Sequence, residues 1–205
     1  MNKIISFSLF GNKQYYLDGA IINATMVNDI FPDWKCRFYV DEYVNPDYIN
    51  KLKKLGSEIV IKKRKSITKF EAITWRFLAA ADSDIMICRD VDSTLLKRDK
   101  IAVDEWLNSD KDFHIIRDYK FPSSRIMGGI WGCRNGILSN MNELLDNWQH
   151  LYPSVQDMIF LNIVVYPLIS DNAFIHDEHE NTFSNEKTNK IQYEYDDKYY
   201  IGYKT

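Results

Sequence analysis

The stretch Ile85-Met86-Ile87-Cys88-Arg89-Asp90-Val91-Asp92 decides the fold. Its first four residues are apolar and β-prone, which is typical of a short buried strand in a parallel sheet. Two carboxylates, Asp90 and Asp92, follow one residue apart. Residues i and i+2 of an extended segment point the same way, so both carboxylates can reach one hard cation past the strand end. Ligands of open α/β sheets bind at this edge, which makes the pair the first candidate site.

The sequence before this strand alternates between strand and helix patterns. Strands are predicted at 4–10, 36–40 and 58–61, and helices at 15–30, 46–55 and 70–81. This βαβαβαβ order predicts an α/β fold with a Rossmann-like, mostly parallel sheet flanked by helices. No Gly-x-Gly-x-x-Gly follows the first strand, so we expect no dinucleotide-binding site.

The sequence after the carboxylates continues with shorter elements. Helices are predicted at 97–107, 137–148 and 156–166, strands at 113–116 and 172–175, and an apolar glycine-containing segment at 126–133. From His176 onward the chain is polar and tyrosine-rich, with little periodicity. We therefore predict one domain over residues 1–180 and an extended tail over 181–205 that packs on it or extends from it.

Composition excludes several classes of protein. The 205 residues suffice for one domain with a substantial core. A net charge of -3 gives no support for nucleic-acid binding, and no apolar stretch approaches the 18 residues of a membrane-spanning helix. The three cysteines are scattered without metal-ligand spacing, which fits a reducing compartment. We therefore expect a cytoplasmic protein without a transmembrane segment.

The carboxylate pair suits Mg2+ or Mn2+, because these ions prefer oxygen ligands and keep positions for water or phosphate oxygens. A diphosphate held through such an ion indicates chemistry on a nucleotide-linked substrate. Two alternatives stay open at this point. The carboxylates would be solvated turn residues that cap the next helix. Or residues 90–94 would form the Asp-x-Asp-x-Thr of haloacid-dehalogenase-type phosphatases, with Asp90 as the nucleophile. That motif ends the first strand of its domain, whereas at least three strands precede it here.

The surroundings of the pair resemble a known group of enzymes. Thr74-Trp75-Arg76-Phe77-Leu78, the strand, and Arg89-Asp90-Val91-Asp92-Ser93 resemble the helix, strand and Asp-x-Asp of GT-A nucleotide-sugar glycosyltransferases. The nearest group is the retaining one that contains glycogenin and the lipopolysaccharide galactosyltransferases. Uncharacterised bacterial and viral glycosyltransferase-like proteins carry strings similar to residues 36–41, 113–118 and 128–132. The resemblance covers roughly residues 3 to 180.

This resemblance implies roles for the first half of the chain. Asp90 and Asp92 would bind Mn2+ or Mg2+ and, through it, the donor diphosphate. Arg76 matches an arginine that contacts the donor, although pairing with Glu71 or Asp82 is an equal alternative. The residues that would bind the nucleotide base, the ribose or the rest of the donor are Phe7, Leu9, Gly11, Tyr16 and Arg89.

The second half is expected to supply the sugar-binding and remaining metal-binding groups. His176 falls where the group has a third metal ligand, but Asp177 to Glu180 replace the glycine and lysine that should follow, so His179 is an alternative ligand. Gly128 and Gly129 would let backbone approach the sugar or acceptor closely. The residues expected to contact sugar hydroxyls are Gln156, Asp157 and Asp118.

The resemblance implies a metal-dependent hexosyltransferase. It would move a sugar from a nucleotide-diphosphate donor, with a UDP-sugar expected, to a glycan, lipid-linked or protein hydroxyl acceptor, with retention of configuration. The chain is short for this fold, so acceptor-binding elements would be minimal or supplied by a partner or an oligomer. A phosphatase that uses Asp90, and a nucleotide-sugar-binding protein without catalytic activity, remain the alternatives.

Overall fold

One sheet organises the molecule. The computed structural model describes residues 1–64, 69–119, 122–152, 156–179, 182–195 and 199–204, without the side chains of Lys69 and Phe70. Within these residues the strands are β1 (Lys3–Leu9), β2 (Lys35–Asp41), β3 (Glu58–Lys62), β4 (Ile85–Arg89), β5 (Phe113–Arg117), β6 (Ile130–Arg134) and β7 (Ala173–Asp177). Their order across the sheet is β3-β2-β1-β4-β6-β5-β7.

The helices alternate with the strands in the first half of the chain. They are α1 (Gln14–Ile30), α2 (Pro46–Lys54), α3 (Lys69–Thr74), α4 (Lys97–Leu107), α5 (Met141–Leu151), α6 (Asp157–Phe160) and α7 (Tyr166–Ile169). A 3-10 stretch, Trp75–Ala81, continues α3 toward β4, and a π-helical stretch, Leu161–Val165, joins α6 to α7. No helix in these described ranges is long and apolar enough to cross a membrane.

Strand direction confirms the mostly parallel sheet. β1 pairs in parallel with β2 and β4, β2 with β3, and β5 with β7, whereas β6 runs antiparallel between β4 and β5. The predicted α/β fold with a Rossmann-like sheet flanked by helices is therefore confirmed. The segment 126–133 becomes a strand only from Ile130, because its first residues form a turn at the sheet edge.

Both faces of the sheet carry an apolar core, as expected for a largely parallel sheet. On one face Phe7 stacks on Phe38 with ring centroids 4.9 Å apart, beneath α1. On the other face Phe77 of the 3-10 stretch meets Trp131 of β6 edge-on at 5.4 Å. Helices therefore pack on both faces of the sheet.

Part of the tail packs against the end of the sheet. Ile191 and Ile201 are buried in a small cluster with Ala102 of α4, Ile116 of β5 and Ile130 of β6. Residues 199–204 consequently lie beside the turn that follows β4. The division into a domain over 1–180 and a tail over 181–205 stays a prediction.

Candidate functional site

A cavity of about 360 Å3 opens at the carboxyl ends of β1 and β4. This is the edge at which open α/β sheets bind ligands. It is lined by Ser8, Phe10, Tyr16, Ile73, Arg76, Asp90, Val91, Asp92, Tyr119, Met127, Gly128, Gly129, Ile130, Asp157, Met158, Tyr200, Ile201, Gly202 and Lys204. Three carboxylates and two cationic side chains stand among them, so the lining carries one carboxylate in excess.

Asp90 and Asp92 enter the cavity from a turn, not from an extended strand. The Ser93 N–H donates to Asp90 O at 3.1 Å, which closes the turn. Asn23 of α1 fixes this backbone: its Nδ2 donates to Val91 O and Ser93 O at 3.3 and 3.0 Å, and its Oδ1 accepts from the Leu95 N–H at 3.1 Å. Asn23 is 1% exposed. One buried amide on α1 therefore holds the loop that presents both carboxylates.

Arg76 reaches the cavity from the 3-10 stretch and joins two carboxylates. Its Nη1 donates to Asp90 Oδ1, and its Nη2 donates to Asp157 Oδ2 at 3.2 Å. Burial alone would lower the pKa of Arg76, but the charges of Asp90 and Asp157 raise it above its ordinary value. The guanidinium therefore stays charged while 5% exposed.

The backbone of Arg76 is held by the polar side of β1. Ser6 Oγ donates to Arg76 O at 2.7 Å, and Ser8 Oγ accepts from the Arg76 N–H at 3.0 Å. Ser8 Oγ also donates to Ile73 O at 3.1 Å. These two serines on one face of the strand fix the turn from which the guanidinium extends.

Gly128 and Gly129 allow backbone to approach the charged groups. A Cβ on Gly128 would overlap Asp157 Oδ2, and a Cβ on Gly129 would overlap Asp90 Oδ2. Any side chain at either position would displace a carboxylate. The glycine pair is thus required by the close approach of backbone to Asp90 and Asp157.

Residues 199–204 close one side of the cavity. The Ile201 N–H donates to Asp118 Oδ2 at 2.8 Å, and Gly202 O accepts from Ser93 Oγ at 3.1 Å. Lys204 Nζ lies 3.0 Å from Asp92 Oδ2. Burial lowers the pKa of Lys204, but its hydrogen bond to Asp92 and the charges of Asp92 and Asp90 give a net upward shift.

The structure brings seven of the sequence-predicted residues together around the cavity. They are Tyr16, Arg76, Asp90, Asp92, Gly128, Gly129 and Asp157. Gln156 precedes α6 and is exposed outside the lining. The proposed alternative pairing of Arg76 with Asp82 does not form, since Asp82 accepts from Arg37 Nη1 at 2.5 Å.

Four predicted donor-binding residues lie elsewhere. Phe7 and Leu9 are fully buried in the core under α1, and the alternate residues Ser8 and Phe10 line the cavity instead. Gly11 adopts φ +74° with open space around it. Arg89 points to the face of β4 opposite Asp90, where its Nε and Nη2 bind Asp99 at 3.0 and 2.6 Å. Successive strand residues face opposite sides, which explains these placements.

Asp118 lies behind the cavity wall. It is fully buried, accepts from Arg98 Nη2 at 2.7 Å, and contacts the cavity lining through the Ile201 N–H. Tyr119, its neighbour, does line the cavity. Asp118 therefore anchors residues 199–204 in this structure.

His176 belongs to a separate buried cluster. Its Nδ1 lies 2.9 Å from His114 Nε2, and its Nε2 lies 2.7 Å from Glu105 Oε2. Burial is the largest cause that lowers the pKa of both histidines. β7 is the third strand from β4, which at about 4.8 Å per strand is a separation of roughly 14 Å. His179 packs near Tyr195 and lies outside the cavity lining.

Several residues that build the site were not singled out in the sequence. Asn23 had a usable signal, since it is polar at a position where the apolar pattern of α1 places a buried residue. Ser6 and Ser8 interrupt an apolar strand in the same way. Tyr119, Tyr200 and Lys204 had no such signal, because they come from a loop and from a segment without periodicity.

The carboxylate pair fits a divalent cation as an open site. Asp90 and Asp92 both line this one cavity. In the described part of the chain, no group of three or more His, Cys, Asp or Glu is arranged around a common point. Mg2+ is commonly held by one or two carboxylates together with substrate phosphates, so a two-carboxylate site matches that mode of binding.

Comparison with known proteins shows the fold. No protein-family model matches the sequence, and no curated protein matches it significantly. A glycosyltransferase involved in the glycosylation of the major capsid of PBCV-1 is similar in structure, with a TM-score of 0.56 and 11% identity, covering 86% of this chain and 82% of that one. The galactosyltransferase LgtC, in complex with donor and acceptor sugar analogs, has a TM-score of 0.54 and 11% identity, covering 85% and 73%. The chain has the GT-A fold that its sequence predicts.

Proposed function

We propose that this protein is a metal-dependent glycosyltransferase that takes a sugar from a nucleotide-diphosphate donor. One observation carries the proposal: Asp90, Asp92, Arg76 and Asp157 converge in a single cavity at the carboxyl edge of a GT-A sheet. The two structural neighbours described above are glycosyltransferases, which supports the class of reaction.

Asp90 and Asp92 would hold Mn2+ or Mg2+ together with the donor diphosphate. Such an ion neutralises the charge that develops on the leaving nucleoside diphosphate. The cavity lining carries one more carboxylate than cationic side chains, so its charge favours an added cation. Both carboxylates are positioned beforehand by Asn23, so little reordering of the loop is required when the donor binds.

Arg76 would orient the donor and keep Asp157 in place. The guanidinium is planar, permanently charged and fixed by Ser6 and Ser8, which suits recognition of phosphate or sugar hydroxyls. Asp157 would accept hydrogen bonds from sugar hydroxyls at the start of α6, with Gln156 beside it. Gly128 and Gly129 would let backbone groups approach the sugar.

Tyr16 and Phe10 would bind the nucleoside at the end of β1, where both line the cavity. We propose a UDP-sugar as the donor, a hexosyl group as the transferred sugar, and a glycan, lipid-linked or protein hydroxyl as the acceptor. We further propose that the reaction retains the configuration of the transferred sugar and that a partner or oligomer completes the acceptor site. We also propose a cytoplasmic location.

Release of nucleoside diphosphate tests this proposal. The protein is incubated with UDP- and GDP-sugars, with a CMP-sugar as a donor that lacks the diphosphate, in the presence of Mn2+ and a panel of sugar, lipid and peptide acceptors. Products are identified by mass spectrometry. Metal-dependent release from one donor, lost in Asp90→Asn, is the expected result. Phosphate release from simple phosphomonoesters that beryllium fluoride inhibits would identify a phosphatase with Asp90 as the nucleophile. Donor binding without turnover across the panel would identify a binding protein.

A further inference from the structure

Residues 199–204 place a lysine directly on the carboxylate pair. Lys204 Nζ is 3.0 Å from Asp92 Oδ2, and the Asp92 side chain is 8% exposed while that of Lys204 is 69% exposed. A backbone bridge between Ser93 and Lys204 joins the two segments next to this ion pair. The ammonium therefore reaches in from solvent to a carboxylate that solvent scarcely touches.

The position of Lys204 is built by its neighbours. Ile201 is 2% exposed and is held by Asp118, whose carboxylate is fixed by Arg98. Gly202 adopts φ +89°, a left-handed conformation that turns the chain toward Ser93. The hydrogen bonds of Ile201 to Asp118 and of Gly202 to Ser93 thus hold the backbone before Lys204 beside the cavity. The ammonium group of Lys204 is held by Asp92.

We propose that Lys204 is a tethered cation that competes with the divalent metal for Asp92. This rests on the proposed function, because it concerns the same carboxylate pair. The ammonium of Lys204 and a metal ion cannot both occupy the position beside Asp92 Oδ2. Metal binding therefore requires Lys204 to leave Asp92, and the anchored residues up to Gly202 stay in position while it does.

The two cations on the pair differ in how readily they can leave. Arg76 is buried and bridges Asp90 to Asp157, so its removal would leave carboxylates unpaired. Lys204 has a flexible side chain that is 69% exposed, so its ammonium can leave Asp92 and be solvated without any change in the packed core. Arg76 is accordingly a fixed part of the site, and Lys204 is the part that the metal displaces.

Titration of metal-free protein with Mn2+ by calorimetry tests this. Lys204→Met removes the competing charge, so Mn2+ should bind roughly two- to fivefold more tightly than to the unmodified chain. Lys204→Arg keeps the charge and should bind as the unmodified chain does. Lys187→Met, an exposed lysine of the same tail outside the cavity lining, is the matched control and should change nothing.

Amine acylation followed by mass spectrometry gives a second readout. Lys204 should react faster when Mn2+ is added, because the amine is then no longer held in its ion pair with Asp92. Asp92→Ala should give the faster reaction without metal. Lys187 in the same sample should react at a constant rate.

The outcomes separate this inference from the proposed function. Unchanged or weaker Mn2+ binding by Lys204→Met, with binding still lost in Asp92→Ala, overturns the competition and leaves the metal site standing. Absence of Mn2+ binding to every form of the protein, or binding that survives Asp92→Ala, overturns the competition and the proposed metal site together.

Discussion

Arg76 donates hydrogen bonds to Asp90 and to Asp157, so one buried guanidinium connects the end of β4 to the start of α6. These carboxylates are 67 residues apart in sequence, and the arginine comes from a third element. The side chain that fixes this junction is also the one expected to contact the donor. Stability and binding should therefore depend on the same residue.

Arg76→Met should destabilise the fold and weaken donor binding. It leaves two carboxylates without their partner, and removal of one member of a buried ion pair costs on the order of 3 kcal/mol. Arg37→Met is the control, because its partners Glu58 and Asp82 have side chains 36% and 63% exposed. Urea denaturation should show a loss for Arg37→Met of no more than about 1 kcal/mol. Equal losses for the two variants would contradict the structural role of Arg76.

Gly129→Ala should abolish metal and nucleotide binding while the protein remains folded. The added methyl group would overlap Asp90 Oδ2 and push that carboxylate away from its position beside Asp92. Circular dichroism and Mn2+ titration measure the two effects separately. Gly136→Asn is the control. Position 136 lies outside the cavity lining, and asparagine tolerates the positive φ that Gly136 adopts. Normal Mn2+ binding by Gly129→Ala would show that Asp90 is not a ligand.

Asn23→Ala should loosen the carboxylate loop. The change removes the amide that pairs with Val91 O, Ser93 O and the Leu95 N–H, and a buried polar group left without its partner costs about 1–3 kcal/mol. Asn28→Ala changes an exposed asparagine on the same helix and should be close to neutral. Thermal unfolding and Mn2+ titration of both variants check this. A stable Asn23→Ala variant with full Mn2+ affinity would refute the positioning role.

Stability should fall as the pH is lowered from 7 toward 5. Burial lowers the pKa of His114 and His176, so the folded protein binds fewer protons than the unfolded chain once the pH nears the ordinary value of about 6.5. The stabilisation that results from keeping these two histidines neutral is complete above a pH of about 6.5. It is lost as the pH falls toward the lower pKa that each histidine has in the folded protein. The slope is at most about 1.4 kcal/mol per pH unit for each histidine.

Urea unfolding at several pH values, compared with two variants, measures this slope. His114→Phe keeps a planar ring against Trp106 and should flatten the pH dependence. His150→Gln changes an exposed histidine on α5 and should leave it unchanged. The same slope in His114→Phe as in the unmodified protein would exclude His114 as a source of the pH dependence.

The fold could be predicted from the sequence because its pattern is local. Apolar strands alternate with helical periodicity up to Asp90, and that order by itself predicts a parallel sheet with a site at the strand ends. Which side chains of a strand point into the core and which into the cavity could not be predicted in the same way. β1 is buried on both sides, so apolar character alone does not distinguish Phe7 and Leu9, in the core, from Phe10, in the cavity. The signal that was present is the alternation of Ser6 and Ser8 with apolar residues.

Long-range placement limited the prediction of the site. Whether His176 reaches the carboxylates depends on the order of strands, and the insertion of β6 and β5 between β4 and β7 separates them. Lys204 reaches Asp92 through tertiary contacts of Ile201 and Gly202, which leave no periodic pattern in the sequence. Residues near β4 in sequence were therefore predicted better than residues that the tail brings to it.

The central claim is that Asp90 and Asp92 bind a nucleotide-diphosphate sugar through a divalent cation, and thermal unfolding with UDP-sugar, with and without Mn2+, tests it most directly. Ligand at about 100 times its Kd stabilises by about 2.7 kcal/mol. For a domain of this size that raises the Tm by roughly 5–10 °C.

Asp92→Ala is compared with Asp29→Ala, which changes an exposed carboxylate on α1. We expect a Mn2+-dependent rise in Tm for the unmodified protein and for Asp29→Ala, and none for Asp92→Ala. A rise that does not require Mn2+, or that persists in Asp92→Ala, would contradict the claim.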